Sequence, residues 1–139
     1  MYILFVDLSL MGETNPSDSS IVFIYNAKSG LINGIFDYVH KFVSPDTYSC
    51  SLCSLTYDNT GKKNDWADYL KSLPYEVIFA YKDNMHLFKY GLFSDQVMLP
   101  AVFVIFDDKK IEIISSNKMN QINSLDELID LINLRLSSF

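Results

Sequence analysis

The two cysteines of the chain, Cys50 and Cys53, stand three positions apart inside "TYSCSLCSLTY". A thiolate is both a nucleophile and a soft metal ligand. A pair this close therefore reads as a redox centre, as half of a metal site, or as two small apolar side chains in a core. Local structure separates these readings. Residues three apart are neighbours on a helical turn, whereas on a strand they point to opposite faces and cannot pair. A helix N-terminus would also stabilise a thiolate. Just upstream, "SPDT" offers Ser44 as a cap and Pro45 for a first helical position, while the alternation in "CSLCSLTY" points to extended chain beyond it. In an exchange reaction Cys50, the nearer to that cap, would be the attacking thiol and Cys53 the resolving one.

The metal reading has a numerical attraction, because two Cys and two His match the count of a closed tetrahedral zinc site. The donors would be Cys50, Cys53 and His40. Their spacing fits no finger pattern, and His86 lies far downstream. His40 falls on the apolar stripe of an expected helix, four residues after Phe36, a position that also suits a packed core histidine.

A second candidate site is "YNAKSGLING". A strand that runs through a short loop into a helix presents free backbone N–H groups at a positive dipole end, which favours phosphate or carboxylate. Asn26, Lys28, Ser29 and Gly30 form that loop. The plainer reading is a strand-to-helix turn capped by Ser29 and opened by Gly30.

The elements that must hold these residues follow from hydrophobic patterning. "IVFIYN" (Ile21 to Asn26) is a continuous apolar run, as in a strand covered on both faces. Leu31, Ile32, Ile35, Phe36, Val39 and Val43 recur at helical spacing. After "DNTGKK", a turn, "NDWADYLKSL" makes a short helix with Trp66, Tyr69, Leu70 and Leu73 on one face, stopped by Pro74. "YEVIFAY" (Tyr75 to Tyr81) is a second strand, and "KDNMHLFKYGLF" an irregular helix. "LPAVFVIFDDKKIEIIS" reads as a β-hairpin turning at Asp107 and Asp108. The chain closes with "SLDELIDLINLRL", an amphipathic helix capped by Ser124 with Glu127 three residues on.

With 139 residues, 49% of them hydrophobic and 20% charged, residues 21–139 suit a single domain with a proper core. Residues 1–20 read as an extension and linker. "MYILFVDLSLMG" carries Asp7, has no basic residue ahead of its apolar run, and is too short to span a bilayer. The net charge of −6 would repel a nucleic-acid backbone or an anionic membrane. Two closely spaced cysteines suit a reducing compartment, the cytoplasm, better than a secreted disulfide framework.

Strand, helix, a second helical patch, strand, short helix, hairpin and helix, with "Leu99-Pro100-Ala101" leading into "VFVIF", together resemble a thioredoxin-like domain. The resemblance spans roughly Ile21 to Leu136. It implies an α/β fold with a four-stranded mixed sheet flanked by helices, and a cis proline, Pro100, facing an active site. The family's Cys-x-x-Cys follows the first strand directly. Here that place is taken by "NAKSG", and the cysteines sit in a segment inserted after the first helix. "YNAKSG", "CSLCSLTY" and "LPAVF" in one chain also resemble a group of small bacterial proteins. Because the cysteines are displaced, the family's chemistry does not carry over residue by residue; the dithiol itself suits thiol-disulfide exchange at Cys50 and Cys53 with a protein or small thiol partner. The loop Asn26 to Gly30 and Pro100 would then shape a shallow pocket, and no cofactor would be needed. The alternative is a non-catalytic domain that binds zinc or docks a protein.

Overall fold

A four-stranded mixed sheet organises the chain. The computed structural model describes residues 19–29, 50–58, 61–86, 93, 96–107 and 109–139. Residues 1–18, Gly30, His40 and the helix expected over Leu31 to Val43 lie outside them.

Ten elements run in order through the described residues: β1 (Ser20–Tyr25), α1 (Ser51–Thr56), β2 (Tyr57–Asp58), β3 (Gly61–Lys62), α2 (Asn64–Ser72), β4 (Glu76–Tyr81), β5 (Ala101–Phe106), β6 (Lys109–Ile114), α3 (Ser116–Met119) and α4 (Leu125–Leu136). The sheet order is β4-β1-β5-β6. Strand β1 runs parallel to β4, with Phe23 opposite Phe79, and antiparallel to β5, with Val22 opposite Phe103. Its unbroken apolar run from Ile21 is thereby accounted for, since a strand hydrogen-bonded on both edges and covered on both faces favours apolar side chains on either side. All six of its residues are buried.

Alternation along β1 supplies two cores. Ile21, Phe23 and Tyr25 face a cluster built with Trp66 and Leu70 of α2, Leu52 and Leu55 of α1, and Leu128 and Ile132 of α4. Val22 and Ile24 face the other side, against Phe103, Ile105, Met85 and Phe93. At the centre of the first cluster the Phe23 ring meets Trp66 edge-on at 5.1 Å and Phe79 at 5.9 Å. Edge-to-face packing of this kind adds roughly 0.5–1.5 kcal/mol to the burial of the rings themselves.

The hairpin forms as expected. Asp107 takes the left-handed conformation (φ 52°) that its tight turn requires, which Asp tolerates better than most residues. A register shift between Val102 and Phe103 bulges β6. It turns both Ile113 and Ile114 into the same core, where strict alternation would send one of them out. The capping of α4 also holds: Ser124 Oγ accepts the Glu127 N–H at 3.1 Å and the Glu127 carboxylate accepts the Asn123 N–H at 2.8 Å.

Two local expectations change. "CSLCSLTY" is helical from Ser51 to Thr56 and extended only from Tyr57. Cys53, Leu55 and Tyr57 alternate, but Leu52, Leu55 and Thr56 stand three and four residues apart and are all buried, and packing of the two leucines with β1 and α4 selects the helical period. "DNTGKK" is more than a turn: Tyr57 pairs with Lys62 and Asp58 with Gly61. Among the described residues no helix is long and apolar enough to cross a membrane.

Candidate functional site

Cys50 is the residue that caps α1. Its Sγ accepts the backbone N–H of Cys53 at 3.2 Å, taking the place of the Ser or Asp oxygen usual at an N-cap. The helical turn brings the two Cα atoms to 5.2 Å, and the side chains are joined as a Cys50–Cys53 disulfide. The cap of α1 is thus the cysteine itself, and "SPDT" lies outside the described residues. Position at the cap matters chemically, because an N–H aimed at Cys50 Sγ would stabilise negative charge there once the S–S bond is broken.

Both sulfurs lie inside the core. Cys50 is 0% and Cys53 2% exposed, within the cluster that also holds Leu52, Trp66 and Leu128. An exchange centre needs one sulfur within reach of solvent. The oxidised form does not offer that, so attack from outside must follow a local opening.

Below the disulfide, α1 is tied to β1 by hydroxyls. Thr56 Oγ1 donates to Leu52 O at 2.7 Å, back along its own helix. Having one proton, it must accept at its 3.1 Å contact with Tyr25, so the Tyr25 hydroxyl donates. Burial drives the Tyr25 phenol pKa far above its ordinary value, and the charges that Tyr57 and Tyr81 would carry push the same way. Tyr25 is therefore a neutral donor at any physiological pH. Nothing in the local sequence marks this pair, whose members are 31 residues apart.

The short helix α3 connects the cysteine segment with Pro100. At its start Ser116 Oγ donates to Leu99 O at 2.9 Å, and at its C-cap Asn120 Oδ1 accepts from Ser51 Oγ at 2.7 Å. Leu99-Pro100 is a cis peptide and Pro100 is buried. The residue next to Cys50 and the residue before Pro100 are thus fastened to opposite ends of one four-residue helix. Hydrophobic patterning alone does not predict α3. Its one local mark is Ser115, whose Oγ accepts the Lys118 N–H at 3.2 Å, a serine cap with no long apolar stripe behind it.

The Asn26 to Ser29 loop is held by the chain's own carboxylate. Ser29 donates its N–H to Asp83 Oδ1 at 2.9 Å and its hydroxyl to Oδ2 at 3.0 Å. Those bonds, the backbone one above all, hold the Asp83 carboxyl below its usual range, with a smaller contribution from the Lys28 charge. Lys82 N also donates to Ala27 O at 3.1 Å, closing the loop onto the turn after β4. The N–H and hydroxyl that would hold an external anion at Ser29 therefore already hold one. Lys28 is exposed and Asn26 half-buried.

Of the proposed zinc donors, Cys50 and Cys53 are bonded to each other and His40 lies outside the described residues. His86 is exposed. Among the described residues no group of three or more His, Cys, Asp or Glu side chains could hold a metal ion. Compared with protein-family models, curated proteins and solved structures, the chain matches none.

Proposed function

We propose that the chain is a thioredoxin-like domain whose Cys50–Cys53 pair cycles between disulfide and dithiol in a reducing compartment, the cytoplasm. The observation that carries this reading is the bonded pair at the cap of α1, with the Cys53 N–H directed at Cys50 Sγ. Further support comes from a mixed sheet in which β1 lies between β4 and β5, and from Pro100 standing directly before β5.

In the reduced form the Cys50 thiolate attacks one sulfur of a substrate disulfide. A Cys50–substrate mixed disulfide forms, and the other substrate sulfur leaves as a thiolate that takes up a proton. Cys53, deprotonated, then attacks Cys50 Sγ, releasing the second substrate thiol and closing the Cys50–Cys53 bond. The substrate disulfide gains two electrons and the protein dithiol loses them. A small thiol or a protein dithiol supplies the electrons for the return. With both sulfurs in the core, the rate of each half-reaction is set by how often α1 opens.

The burial itself favours a second reading, a non-catalytic interaction domain in which the pair is only a core cross-link. Trapping separates the two. Reduced Cys53→Ser protein incubated with oxidised glutathione should accumulate a mixed disulfide on Cys50, read by intact mass, while Cys50→Ser should accumulate far less. Equal labelling of both variants, or of neither in the folded state, would leave the cross-link reading.

A further inference from the structure

Strand β6 is an edge of the sheet, bonded to β5 and, among the described residues, to no strand beyond it. Lys109, Lys110, Ile111 and Glu112 are all exposed. Of the large hydrophobic residues that the described surface exposes, Met98, Ile111, Leu134 and Phe139, three border this strand. Met98 lines a groove of about 470 Å³ with Lys110 and Glu112 on one face of the sheet, and Ile111 shares a groove of about 330 Å³ with Phe139 on the other. Exposed backbone donors and acceptors beside such grooves are a template for another strand.

Register assigns the faces. Lys110 lies opposite Ile105 and Glu112 opposite Phe103, so both stand on the Phe103 side, where the Lys110 ammonium sits 5.8 Å from that ring's centroid. Ile111 lies opposite Val104 and stands on the other side.

From this we infer that β6 pairs with β6 of a second copy, antiparallel about a two-fold axis through Ile111, extending the sheet across two chains. A two-fold axis perpendicular to a sheet keeps each face on its own side, so it must pass through a residue that faces its own counterpart. Centring on Lys110 sets lysine against lysine, and centring on Glu112 sets carboxylate against carboxylate. Among the exposed residues of β6, Lys109 to Glu112, only centring on Ile111 avoids a like-charged pair on the axis. It places Ile111 against Ile111 on one face, and on the other face it sets Lys110 of each chain against Glu112 of the other, twice. Charge complementarity thus selects both the partner, an identical strand, and the register. Because each chain carries −6 overall, indiscriminate association is opposed, and lysine on an edge further discourages pairing out of register.

The test is sedimentation velocity of the full chain over micromolar to submillimolar concentrations, for the wild type, Glu112→Lys, Lys110→Glu and the double exchange. Circular dichroism melts establish that each variant is folded. The wild type should show a monomer–dimer equilibrium. Each single reversal converts two attractive cross-strand pairs into repulsive ones and should weaken it roughly tenfold or more. The double exchange should restore it. A second readout changes no charge: Ile111→Cys, on the axis, should cross-link to itself under mild oxidation far faster than Lys109→Cys. A wild type monomeric throughout, single reversals that dimerise like the wild type, a folded double exchange that stays monomeric, or equal cross-linking at positions 109 and 111 would each overturn the inference.

Discussion

Breaking the Cys50–Cys53 bond should cost little stability, and the size of that cost distinguishes a working disulfide from a staple. The bond joins residues only three apart. In the chain-entropy account so short a loop withholds about 2 kcal/mol from the unfolded state at 25 °C. Native packing should change little, because α1 keeps its other attachments, Thr56 to Leu52 O, Tyr25 to Thr56, and Ser51 to Asn120. For a domain of this length about 2 kcal/mol lowers Tm by roughly 5–8 °C. The chain has one tryptophan, Trp66, which is fully buried in the same core cluster as both sulfurs, so its fluorescence reports global unfolding without a label. Urea and thermal unfolding of a single preparation, with and without dithiothreitol, read the difference directly. A midpoint unmoved by complete reduction would mean that the sulfurs are not bonded in solution. A protein unfolded by reduction alone would show that the core depends on the bond far beyond loop entropy, and exchange chemistry at Cys50 would then be untenable.

Phe23→Ala removes the ring between Trp66 and Phe79 and should destabilise by about 3–5 kcal/mol, measured by urea unfolding. A loss below about 1 kcal/mol would mean that the first core is not packed as described. The Asp83 carboxylate, held below its usual pKa by Ser29, contributes stability that is present above the unfolded value of ~3.9 and lost as pH falls through the lower folded value. The stability gap between wild type and Asp83→Ala should therefore be present at pH 7 and close below about pH 4. Chemical denaturation at graded pH checks it, and a gap that stays constant to the acid limit would remove the Ser29–Asp83 interaction from the account.

Much of the architecture was legible because its signals are local. The apolar run from Ile21 needs a strand buried on both faces, the Asp107 turn follows a second apolar run and precedes "KKIEII", and Ser124 with Glu127 marks a helix start within four residues. The helical state of Ser51–Thr56 was less legible. Leu52 and Leu55 stand at helical spacing while Cys53, Leu55 and Tyr57 alternate, and only the neighbouring β1 and α4 decide between the two periods. The bulge at Val102 and Phe103 has no local mark either, since Ile113 and Ile114 look alike until a core exists for both to enter.

The sequence by itself determined that the two thiols could meet, since a separation of three allows it on any helical turn, and that β1 would be buried on both faces. Tertiary structure alone decided that the sulfurs sit in the core, that Ser29 holds Asp83 from 54 residues away, and that Ser51 and Leu99 are fastened to the two ends of α3. The physical reason is range. Periodicity and capping act over one or two turns of chain, whereas burial and long-range hydrogen bonds depend on which distant segments the closed sheet brings alongside.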